Sequence, residues 1–136
     1  VMRDALDRFV RSLAPADFYV SAEAAGEAWG RRGLFNVIDL ASGWKIDLIL
    51  RKDRPFSRVE FERRMPARIL GTDVFVATAE DTILAKLEWA QLGESDRQLR
   101  DVVGVIELCG DALDRDYIER WTRELGVEGL WERVSR

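Results

Sequence analysis

The chain has 136 residues, enough for one domain, with 47% apolar residues, 34% charged residues and a net charge of −4. This balance provides for one real core and argues against the basic surface of a non-specific nucleic-acid binder, so no DNA partner is expected. A single cysteine excludes an internal disulfide and points to the cytoplasm, the absence of histidine removes the commonest general base and zinc ligand, and no apolar run is long enough for a membrane span.

Met2–Leu13 has apolar residues at helical spacing (Met2, Ala5, Leu6, Phe9, Val10, Leu13), and Ala14-Pro15-Ala16 ends the pattern. Asp17–Val20 is a short strand candidate. Ser21 is a plausible N-cap for a helix from Ala24 to about Arg31, stopped by Gly33. Two strands follow, Leu34–Leu40 and Trp44–Leu50, joined by Ala41-Ser42-Gly43, where Gly43 is free to take positive φ. Alternation puts Trp44, Ile46, Leu48 and Leu50 on one face, with Lys45, Asp47 and Ile49 on the other.

Arg51–Pro55 is a charged loop, and Phe56–Arg64 a short helix. Ala67–Leu70 and Val74–Val76 form a second hairpin about Gly71-Thr72-Asp73. Thr78, with Asp81 three residues on, approximates a capping box for a helix whose buried stripe is Ile83, Leu84, Leu87 and Trp89/Ala90. Gly93 breaks that helix. Ser95 starts the next, Asp96–Leu108, with Leu99, Val102, Val103 and Ile106 inward. Gly110-Asp111 breaks it in turn. Asp114 caps Tyr117–Leu125, Gly126 ends it, and Val127–Val134 adds a turn or two with Leu130 and Trp131 packing back. The expected class is α+β: a small mixed sheet in residues 1–77, then a helical bundle in 78–136 packed on it as one compact unit.

Asp47 is the leading site candidate. A carboxylate in the middle of an apolar strand costs several kcal/mol if buried without a partner. Two readings stand: an edge-strand aspartate paired with Lys45 or an arginine, or a metal ligand converging with Asp39 of the partner strand on a hard cation such as Mg²⁺. Lys86 is either a phosphate-holding point charge or a snorkelling lysine with an acidic partner close in sequence, Glu88 or Asp81. Arg97, Arg100 and Asp101 are neighbours on a helix, as a binding cluster or as an ordinary solvated face. Arg51, Lys52, Arg54, Arg58, Arg63, Arg64 and Arg68 would attract phosphate, or form a charged surface interleaved with Asp53, Glu60 and Glu62. Trp29, Trp44, Trp89, Trp121 and Trp131 read as core packing, and Cys109 as buried filler.

The blocks F-N-V-I-D-L-x-S-G-W-K-I-D-L-I-L, R-x-x-x-P-F, E-x-x-R-R, A-T-A-E-D-T-I-L-A-K-L-E-W, S-D-R-Q-L-R-D-V-V-G-V-I and L-D-x-x-Y-I-x-x-W, in this order, give a further pattern. From about Phe18 to the end, the chain resembles bacterial proteins of the nucleotidyltransferase-like superfamily, related to minimal and abortive-infection (AbiEii-type) toxin nucleotidyltransferases. The resemblance implies a partial nucleotidyltransferase fold. It implies a catalytic, metal-binding role for Asp47 as the third of three carboxylates, and a nucleotide-binding role for Lys86, Asp101 and Arg97. The implied cofactor is Mg²⁺, with a nucleoside triphosphate as substrate. The implied activity is transfer of a nucleoside monophosphate to a protein or RNA acceptor, in a possible toxin–antitoxin pair. The family's Gly-Ser turn and Asp-x-Asp strand do not precede Asp47 here. They are expected in a segment upstream of Val1, and this chain alone is expected to be inactive or nearly so. The sheet edge so uncovered suggests a homodimer, and a non-catalytic protein-binding or self-associating module is the alternative function.

Overall fold

A computed structural model describes residues 2–93 and 95–136. Among these residues it contains seven α-helices, a single 3-10 turn and five strands. The chain divides into two compact units, 1–57 and 58–136.

In the first unit, α1 (Arg3–Ser12) precedes strand β1 (Phe18–Val20) and helix α2 (Ala22–Arg31). The Ser21 hydroxyl accepts the Ala24 N–H at 3.1 Å, as its N-cap role predicts. The stop differs from expectation by one residue. Arg32, not Gly33, is left-handed, and the Gly33 N–H closes on the Ala28 carbonyl at 2.9 Å. Strands β2 (Leu34–Asp39) and β3 (Lys45–Ile49) complete an antiparallel sheet of order β1-β2-β3. Phe35, Val37 and Leu50 pack with Leu6 of α1 and Ala25 and Ala28 of α2 to form the core of this unit. The expected face alternation holds at Leu48 and Leu50, which are half-buried and buried. It leaves Ile46 and Trp44 outside the core, because β3 is an edge strand and both are exposed.

Helix α3 (Pro55–Arg63) spans the division between the units. It opens on a proline, whose fixed φ and missing N–H suit the first helical position. Strands β4 (Met65–Ile69) and β5 (Thr72–Val76) then pair as a separate antiparallel hairpin. One expectation is corrected here. The strands form two antiparallel sheets rather than one mixed sheet, since each hairpin is closed by a short connection and pairs only with itself or with β1. The second hairpin falls in the compact unit that also contains α4 to α7.

The hairpin turn is Leu70-Gly71 rather than Gly71-Thr72-Asp73. Both residues have positive φ (49° and 81°), the signature of a two-residue turn matched to strand twist. Leucine pays a steric penalty there that glycine does not, and Leu70 is fully exposed, so it gains no burial in return. Leu70→Asn is therefore expected to stabilise the chain by about 1 kcal/mol, read as an increase in the urea midpoint at unchanged m-value.

Helices α4 (Ala79–Gly93), α5 (Asp96–Cys109), α6 (Arg115–Leu125) and α7 (Glu128–Val134) complete the second unit, with the 3-10 turn Gly110–Ala112 between α5 and α6. Its core is Ile83, Leu84, Leu87, Leu99, Val102, Leu113, Ile118, Val127 and Trp131. Asp114 caps α6 by accepting the Tyr117 N–H at 2.9 Å, and left-handed Gly126 ends it, both as expected. Val103 and Ile106 are only half-buried, as is Cys109. Among the tryptophans, Trp131 is buried and Trp29 and Trp121 are half-buried. Trp44 and Trp89 are exposed, so the core reading fails for these two.

Candidate functional site

The first unit holds Asp47. Its carboxylate is not buried: the side chain is 50% exposed, because β3 is the sheet's outer strand. It accepts a hydrogen bond from Asn36 Nδ2 on β2 and lies 3.7 Å from the Lys45 ammonium. The burial cost anticipated from the sequence therefore does not arise. Asp39 does not converge with it. Asp47 lies opposite Asn36 in the ladder, and Asp39 is an odd number of positions away, which puts it on the other face. Asp39 instead organises the turn, accepting the Ser42 hydroxyl at 2.7 Å and the Ala41 N–H at 2.9 Å; these bonds hold its carboxyl below the usual range. Among the described residues no three metal-ligating side chains gather, so these donors do not by themselves form a two-metal centre.

The second unit brings Lys86 and Asp101 together. Lys86 sits on α4 and Asp101 on α5, and these two helices pack side by side. The Lys86 ammonium donates to Asp101 Oδ2 at 2.7 Å and to Gln98 Oε1 at 3.3 Å. The hydrogen bond from Lys86, with the charges of Lys86, Arg97 and Arg100, holds the Asp101 carboxyl below its ordinary range. Arg97 and Arg100 are exposed on α5. Three cations thus act on one carboxylate, which lies partly exposed where the two helices pack.

A further polar cluster, at the start of α4, was not legible as such in the sequence. Asp81 is fully buried. Its Oδ1 accepts the Tyr117 hydroxyl at 2.6 Å; its Oδ2 accepts the Thr78 hydroxyl at 2.8 Å and Arg63 Nε at 3.1 Å. The Asp81 N–H donates to Thr78 Oγ1 at 3.1 Å, so the anticipated cap exists, with the carboxylate turned inward. Glu80 bridges Arg63 Nη2 at 3.4 Å and the Asp114 N–H at 3.1 Å. The Arg63 guanidinium stacks 4.0 Å over the Tyr117 ring. Burial and the bond to Asp81 raise the Tyr117 pKa well above its ordinary value. Burial pulls the Arg63 pKa down, and Asp81, with Tyr117 and Glu80, more than offsets it. The cluster is satisfied internally and joins α3, α4 and α6. The sequence signal for it was the Glu80-Asp81 pair after Thr78, which capping alone accounts for.

The basic stretch is broken up in the same way. Arg63 pairs with Asp81 and Glu80, Arg68 with Asp73 at 3.2 Å, Arg64 stacks on Phe61 and Phe75, and Arg54 donates to the Ser57 hydroxyl. A charged, internally paired surface is the better description.

No protein-family model matches this chain, and no curated protein matches it. Among the described residues no helix is long and apolar enough to cross a membrane.

Proposed function

We propose that this chain is a nucleotidyltransferase-like protein whose second unit binds the phosphates of a nucleoside triphosphate at Lys86, Arg97 and Arg100. The observation that carries this reading is the action of Lys86, Arg97 and Arg100 on the one Asp101 carboxylate, at a partly exposed pairing between α4 and α5. Lys86 exchanges Asp101 for a phosphate oxygen, so the ammonium stays paired while the Asp101 carboxylate gives up its hydrogen bond. Asp47, in the first unit, is a surface carboxylate held by Asn36 and Lys45. One carboxylate does not hold two Mg²⁺ ions, so transfer of a nucleoside monophosphate to a protein or RNA acceptor, with or without a toxin–antitoxin role, calls for further carboxylates.

Calorimetric titration with each of the four ribonucleoside triphosphates in Mg²⁺ tests the proposal. Binding of at least one, weakened about tenfold or more by Lys86→Ala (a loss of at least about 1.4 kcal/mol), is the expected result. No binding to any of the four would overturn it.

A second reading has its own observation. The outer edge of β3 is unpaired among the described residues, and Trp44, Ile46 and Ile49 are exposed along it. That favours a non-catalytic module that associates with a protein partner or with itself.

A further inference from the structure

We infer that β3 pairs edge to edge with β3 of a second copy of this chain, antiparallel and in one register. This specifies the second reading above and rests on it. The ladder geometry sets which backbone groups are available. The Asp39 N–H donates to the Trp44 carbonyl, and the Leu50 N–H to the Gly33 carbonyl, each at 2.9 Å. Residues of β3 alternate between the inner and the outer edge, so Trp44, Ile46 and Leu48 turn their peptide groups to β2. Lys45, Asp47 and Ile49 turn theirs outward.

An open edge is a template for another strand, and the charges on it decide which strand. Lys45 and Asp47 both face outward and stand two residues apart. An antiparallel partner that places Ile46 opposite the second copy's Ile46 puts each Lys45 opposite an Asp47. The two outward-facing residues then form the closely hydrogen-bonded pairs, as the edge geometry requires. Moving the register by two residues in one direction sets Asp47 against Asp47; moving it as far in the other sets Lys45 against Lys45. Like charges directly opposite are destabilising, so the edge is complementary to itself in one register and repels its neighbours on either side.

The apolar residues agree with that register. Trp44 is 74% exposed and Ile46 45% exposed, both on the face where Phe35 and Val37 meet the helices. In the pair, Ile46 meets Ile46 and Trp44 meets Leu48 of the other copy, which continues the apolar face across the two-fold axis. The other edges are poorer templates. β1 has three residues, β4 carries Pro66, which has no N–H to donate, and β5 has a single charge, Asp73, with no opposite charge on the strand to fix a register with itself.

Sedimentation equilibrium of the full chain and of charge variants tests this. The wild-type chain is expected to be a dimer. Lys45→Asp and Asp47→Lys are each expected to weaken dimerisation about tenfold, because each turns two attractive pairs into two repulsive ones. An equimolar mixture of these two variants is expected to dimerise again, and so is the double variant Lys45→Asp/Asp47→Lys. A wild-type monomer at 100 µM concentration, taken as roughly a hundredfold above a micromolar Kd, would overturn the self-association reading altogether. A wild-type dimer indifferent to both single variants would leave self-association standing and overturn the β3 pairing, as would a mixture that does not reassociate.

Discussion

Arg63→Met is expected to cost the second unit about 3–5 kcal/mol, because it strips the cation from a fully buried carboxylate. Asp81 has no access to water and takes its three side-chain bonds from Tyr117, Thr78 and Arg63. Removing the guanidinium leaves two neutral donors on an ion in a low-dielectric site. It also removes the Glu80 bridge and the stacking on Tyr117. Tyr117→Phe, which removes one neutral donor, is expected to cost about 1–3 kcal/mol. Arg63→Met combined with Asp81→Leu is expected to recover most of the Arg63→Met loss, since no charge is then left buried. Urea unfolding of the wild type and these three variants measures the differences. A loss below about 1 kcal/mol for Arg63→Met would put the pair among surface ion pairs and sink the account. The cluster also sets an alkaline limit. The folded Tyr117 pKa lies above its unfolded value of about 10, so its contribution is complete below that pH and declines as pH rises through it.

Phe35→Ala is the second large effect, expected to cost about 3–5 kcal/mol. The first unit has 57 residues, and Phe35 is the largest of the six buried side chains in the cluster that joins its sheet to α1 and α2. A unit of that size buries too little surface to absorb such a loss. Hydrogen exchange is expected to show protection lost over β1, β2 and β3 and retained over α4 to α6. Protection lost uniformly along the chain would show instead that the two units unfold as one.

The local grammar of this protein lies in its sequence. Ser21 and Asp114 cap the helices they precede, Gly126 ends α6, and the apolar spacing of α4 picks out Ile83, Leu84 and Leu87 before any coordinates. These are short-range effects, decided by a residue and its neighbours within one turn. The sequence offers Lys86 an acidic partner among its near neighbours; helix packing instead brings Asp101, fifteen residues on, within 2.7 Å. Other features depend on contacts between distant segments. Alternation in β3 reads the same for an inner strand as for an edge strand. Only the strand order exposes Asp47, turns Asp39 to the other face, and leaves Trp44 without a core to enter. The Arg63–Asp81–Tyr117 cluster joins residues 18 and 36 positions apart. Composition and periodicity record which side chains are polar; the tertiary structure decides which of them lose water and must therefore find one another.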